Sequence, residues 1–198
     1  MSQVLRSVCD DDDMSTAPQV LVFGEALIDL IITDGGAVEA VCGGAPFNAA
    51  RALGRLGVET AFVGAISEDR FGNDLFSRLT DDGVHVDHVR RTTAPTTLAL
   101  AELSDDGSAS YRFYVDGTAA REIAGDDVHV EKGWILTGGL GLVLSPVANH
   151  IAQLVAERPP TTLALIDINC RPLVITQPEE YRARLNTEVA AADVIKVS

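Results

Sequence analysis

Lysine is almost absent from this chain of 198 residues, occurring only at Lys132 and Lys196. The arginines are scattered rather than striped, and 29 acidic against 15 basic residues leave a formal charge of −14. Such a surface repels phosphate backbones, which argues against nucleic acid as a partner. Long hydrophobic runs are lacking too. Apolar stretches such as 135–136 and 140–144 are short and broken by glycine, so the sequence contains no membrane-spanning helix. Cysteine is limited to Cys9, Cys42 and Cys170, an odd number with no CxxC or histidine-paired spacing. They read as free thiols of a reducing, cytoplasmic compartment, not as a disulfide framework or a metal site.

What is there is ordinary globular composition, 46% hydrophobic and 22% charged. The length suffices for one sizeable α/β core and is short for two ordinary domains. Residues 1–18 read as a disordered acidic tail. The aspartates at 10–13 repel one another, and 4–9 is too short and interrupted for a signal-peptide core. Met14 follows the acidic block and is a candidate alternative start.

From residue 19 onward strand-like and helix-like runs alternate. Residues 20–23, 58–63, 134–137, 162–168 and 194–197 have the apolar or β-branched character of buried strands, with Gly24, Gly64 and Gly138 as stops. Residues 46–56, 70–79, 146–156 and 179–191 carry helical periodicity; Pro46 suits a first turn, and Gly57 and Gly83 suit helix ends. The alternation predicts a parallel, doubly wound sheet flanked by helices. Two stretches break it. Residues 30–41 lack helical period, and 97–103 and 108–115 flank a hairpin signature at 104–107. Together they predict a small antiparallel sheet projecting from the main body, with a hinge at Gly43-Gly44.

In an open α/β sheet, ligands gather at the carboxyl ends of the strands. Asp29 lies soon after the first strand, where a carboxylate can accept hydrogen bonds from two neighbouring hydroxyls; it reads equally well as a surface or capping residue. Gly43 and Gly44 allow close backbone approach to a ligand, and Asn48 offers a donor and an acceptor in the first turn of the following helix. The segment has neither GxGxxG spacing nor a following GKS or GKT, so it is neither a dinucleotide fingerprint nor a P-loop.

The order GEALID (24–29), CGGAPFNAARALGRLG (42–57) and VGAISEDRFGNDL (63–75) resembles the amino-terminal signature region of the ribokinase-like (PfkB) carbohydrate kinases. The likeness continues through GGLGL (138–142) with Pro146 and through DINCRP (167–172). It implies a Rossmann-type parallel sheet with a β-sheet lid formed by about 30–43 and 95–117, in a kinase domain portion spanning 19–198. It also implies ATP and Mg²⁺ as cofactors and a small-molecule sugar as substrate. An acidic protein that binds ATP concentrates positive potential locally, at helix N-termini, a metal ion and a few arginines.

By position, the resemblance assigns Asp29, Gly43, Gly44 and Asn48 to the sugar and Phe113 to closure over it. Asn169 and Arg171 would face the phosphate-transfer zone. Lys196 and Ser198 would lie on the strand that precedes the family's Mg²⁺ and phosphate motif. Cys42, Trp134 and the segment SEDRFG read as packing or loop structure. Relatives that take an acid sugar carry an arginine on the lid strand; 113–118 has none, and Arg112 falls on the other side by alternation. This implies a neutral sugar, in a pattern most like bacterial fructokinases.

The family's DTxGAGD-like segment, with its catalytic base and anion hole, does not occur in these 198 residues. The expectation is therefore the sugar-binding half of a kinase, with the carboxyl-terminal part of the fold missing and no catalytic residue in this chain. Two other readings share the same residues: a nucleoside kinase of the same superfamily, and a non-catalytic sugar-binding module. Pairing of two copies through the lid is an assembly the resemblance leaves open.

Overall fold

The computed structural model describes residues 19–32, 36–103, 109–125, 128, 130 and 132–197. The acidic tail, the hairpin signature at 104–107, Gly35 and Ser198 lie outside the described residues.

The first strand, β1 (Val20–Phe23), is buried along its whole length. Its side chains alternate between two layers, as the pleat requires. Val20 and Val22 pack with Phe47, Ala50, Leu75 and Leu79, while Leu21 and Phe23 pack with Ile151, Val155, Ala164 and Tyr181. The first group comes from helices α1 (Ala45–Arg55) and α2 (Arg70–Asp81), the second mainly from α3 (Val147–Glu157) and α4 (Pro178–Ala191). Helices therefore cover both faces, which is why β1 reads as a continuous apolar run. Phe47, fully buried, meets Phe62 edge to face at 6.4 Å; burying one such side chain contributes about 1.5–3 kcal/mol.

The main sheet adds β4 (Thr60–Ser67), β5 (Val89–Thr92), β8 (Gly133–Gly138), β9 (Thr162–Ile168) and β10 (Val194–Val197), in the order β10-β9-β8-β1-β4-β5. All its pairings are parallel, as the alternating pattern predicts. One local expectation is corrected. Gly64 does not end its strand, because β4 runs on to Ser67. A side chain at Gly64 would collide with the Gly24 carbonyl and the Phe62 ring, so this glycine marks a close approach inside a strand. The extended end of β4 pairs with β5, whose VRRT sequence lacks an apolar pattern.

The second sheet comprises β2 (Leu27–Ile32), β3 (Val38–Gly43), β6 (Leu98–Leu103) and β7 (Ala109–Tyr114), ordered β3-β2-β6-β7. It is mixed rather than antiparallel, since β2 and β6 run parallel. The chain passes through β3, α1, β4, α2 and β5 between them, the kind of long connection that parallel neighbours require. Asp29 lies within β2, not in a loop after β1. Trp134, as expected, packs against the core.

Candidate functional site

Where the second sheet overhangs the carboxyl ends of β1, β8 and β9, a cleft of about 710 Å³ opens. Its roof takes Leu27, Asp29 and Ile31 from β2, Val41 from β3, Ala101 from β6, and Tyr111 and Phe113 from β7. These share one face through the register, which sets Asp29 opposite Val41 on one side and Ala99 on the other, with Phe113 next to Ala99. Arg112 pairs with Leu100 one step along and does not line the cleft. Tyr111 and Phe113 are stacked, their ring centres 6.5 Å apart and planes 18° apart.

The floor comes from the first turn of α1 and from the loops after β8 and β9. Gly44 takes φ 110°, a conformation that disfavours side chains, and hands the chain from β3 to α1. Asn48 lines the cleft from that turn, its amide bonded to the Gly44 carbonyl at 2.9 Å. Asn169 and Arg171 line it from the loop after β9. The Asp29 carboxyl is half-buried. Burial pushes it above its ordinary value, and the nearby Arg171 guanidinium partly offsets that.

Six of the sequence-derived residues thus share one cleft: Asp29, Gly44, Asn48, Phe113, Asn169 and Arg171. Gly43 stands at its edge, where a side chain would strike the Asp29 carboxylate. Lys196 is elsewhere. On β10 it donates to Asp167 Oδ2 at 2.8 Å and is not among the residues that line the cleft. The SEDRFG segment is structural, as read. Asp69 caps α2 through the Gly72 amide and accepts two further bonds from Thr96.

Two cleft residues with side chains suited to contact a ligand escaped the sequence reading. Tyr111 belongs to the same alternation as Phe113 and was legible from it. Glu25 was not. It is buried, lines the cleft, and accepts from the amides of Ala45 at 3.3 Å and Gly141 at 3.2 Å. Burial pushes its carboxyl up to about 7, against the lowering effect of those backbone bonds. Its burial depends on a turn 116 positions further along the chain.

Known proteins point the same way. The family model described as pfkB family carbohydrate kinase matches residues 17–196. A fructokinase from Rhizobium leguminosarum bv. trifolii is 34% identical over 190 residues, which are 90% of this chain and 57% of that protein. The crystal structure of a fructokinase from Xylella fastidiosa superposes with a TM-score of 0.79 at 29% identity, over 89% of this chain and 61% of that one. A Vibrio cholerae O395 fructokinase, solved with fructose, ADP and calcium ion bound, gives 0.79 at 26% identity over 92% and 60%. The chain thus spans about 60% of the length of these relatives.

Proposed function

The chain belongs to the pfkB family of carbohydrate kinases, and on that premise we propose that its cleft is the sugar-binding half of a fructokinase-like site. One observation carries the reading: a half-buried carboxylate, an asparagine, a glycine turn and an aromatic ring converge on one space, with a guanidinium on its rim. A polyol needs an acceptor able to take two hydroxyl protons, which Asp29 supplies, and donors for the remaining oxygens, which Asn48 and the backbone at Gly43 and Gly44 offer. Phe113 and Tyr111 lay a flat apolar wall against the carbon face of the ring. The absence of an inward arginine on β7 supports a neutral sugar, because a buried carboxylate facing that strand would lack a partner there.

ATP would supply the phosphoryl group. Asn169 and Arg171 have the donor chemistry to hold phosphate oxygens and to offset charge building at the transferred group. Transfer also needs a base beside the reacting hydroxyl and an anion hole. Asp29, engaged with other hydroxyls, does not fill the role of base. In our reading these 198 residues bind sugar and do not turn it over. Losing a positioned base alone costs about 10²–10⁴-fold in rate.

The experiment is calorimetry with fructose on residues 1–198, beside an ATP-consumption assay on this chain and on a version extended to the length of its relatives. Fructose binding that is lost in Asp29→Ala, with turnover confined to the longer version, is the expected result. No sugar binding, or robust turnover by the short chain, defeats the reading.

A further inference from the structure

Glu25 joins three segments that meet under the cleft. It follows β1, its Oε1 accepts from Ala45 at the start of α1, and its Oε2 accepts from Gly141 in the turn after β8. Its surroundings leave no spare room. A side chain at Gly139 would come within 2.5 Å of Oε1, and one at Gly44 within 2.7 Å of the Glu25 main-chain carbonyl. A side chain at Gly24 would strike the Pro46 ring of α1, and one at Gly141 would approach Gly24 Cα at 3.1 Å. Two glycines, Gly44 and Gly139, therefore close directly on Glu25 and line the cleft with it, while Gly24 and Gly141 keep the adjoining segments packed together.

We propose that Glu25 is a positioning residue for sugar binding: it clamps the Gly44–Ala45 turn to the Gly139–Gly141 turn and so fixes the floor of the cleft. This rests on the reading of the cleft as a sugar site. The carboxylate has two acceptor oxygens for two amides that come from segments distant in sequence, and no neutral side chain of the same shape matches that. Glutamine would turn its NH₂ toward one of the amides and lose that bond. When ionised, the carboxylate also sits at the first turn of α1, where the helix dipole favours a negative charge. Glu25 does not act on the reacting atoms. It holds in place the backbone that meets the sugar, and the helix turn that presents Asn48.

The test uses the 198-residue chain, Glu25→Gln and Ala45→Pro. The proline deletes one donor from the other end of the clamp and sets its ring carbon against Oε1 in its place, at a first helical position whose backbone angles proline accepts. It therefore serves even if Glu25→Gln fails to fold. Backbone amide exchange by NMR and fructose titration are read together with the melting temperature. In Glu25→Gln, faster exchange at Ala45 or Gly141 and fructose binding weakened about tenfold are expected. In Ala45→Pro the same weakening is expected while the Gly141 amide stays protected. A lower melting temperature with unchanged fructose affinity would reduce Glu25 to a purely structural residue and overturn the proposal. Unchanged exchange at both amides of Glu25→Gln would overturn the clamp whatever the sugar data show. A wild-type chain that binds no fructose would instead overturn the reading of the cleft, and with it the clamp's role there.

Discussion

The carboxylate of Asp29 fills the space into which a side chain on Gly43 would project. The two lie on the same face of neighbouring strands, two pairs apart in the register. Gly43 does not have positive φ, so alanine there strains no backbone and acts only by displacing the carboxylate. Gly43→Ala is expected to weaken fructose binding by about tenfold to a hundredfold, approaching Asp29→Ala, since a hydrogen bond to a charged group contributes about 1.5–3 kcal/mol. Titration calorimetry on the two variants checks this.

Gly44→Val addresses the joint between the two sheets. Gly44 holds φ 110°, and its added Cβ would lie 2.7 Å from the Glu25 carbonyl. A β-branched residue there meets both the backbone strain, about 1–3 kcal/mol, and a contact with main chain that has no flexible end to give way. The unfolding free energy from urea titration should fall by at least that amount, lowering the midpoint, and fructose binding should be lost with it. A wild-type midpoint would contradict the geometry.

Asp69 offers a test of structure away from the cleft. Burial alone would raise its carboxyl, but bonds from Thr96, Gly72 and Ser67 bring it to about 2. A depressed value means that the contribution is present above the unfolded value of 3.8 and is lost as pH falls through about 2. Asp69→Ala should therefore cost about 1 kcal/mol at pH 7, within the range for losing an N-cap. The two proteins should converge in strong acid. Thermal unfolding at pH 7 and near pH 2 decides it.

Glu188 predicts the opposite slope. On α4, it is buried with neither carboxylate oxygen bonded, and burial raises it from 4.5 to about 7, partly offset by Arg184. A raised value favours the protonated folded state, so the contribution is full below pH 4.5 and is lost as pH rises through about 7. Glu188→Gln should be more stable than the parent at pH 8 by on the order of 1–3 kcal/mol. It should also lose part of the fall in stability between pH 4.5 and 7. Chemical denaturation across that interval measures both.

Much of the fold was readable because its signals are local. The strand at 162–168 and the helices near 46–56 and 70–79 follow from apolar spacing, Pro46, Gly57 and Gly83, and the structure places elements there. The direction of β6 against β2 was not readable, because it depends on how the intervening units cross over rather than on either strand's own pattern. Gly64 misled for a related reason. A glycine that ends a strand and one that lets another backbone come close look alike until the neighbour, here the Gly24 carbonyl, is in place. At the site, Asp29, Gly44 and Asn48 could be named from short motifs. The environment of Glu25 could not, since the Gly141 amide is brought to it only by the pairing of β1 with β8.

That pairing also bears on how the chain is made. Strand β1 comes first in the chain among the described strands, yet it sits between β4 and β8 inside the sheet. One flank can be completed early, by α1, β4, α2 and β5. The other edge stays without hydrogen-bond partners until Gly133–Gly138 has emerged, and Leu21 and Phe23 stay without the cover of Ile151 and Val155 until α3 follows. A ribosome-bound chain that has not reached Gly133 therefore presents a bare parallel edge and an uncovered apolar face, the features that invite pairing between neighbouring nascent chains. The order of synthesis thus leaves the centre of this sheet bare on one side until β8 and α3 follow.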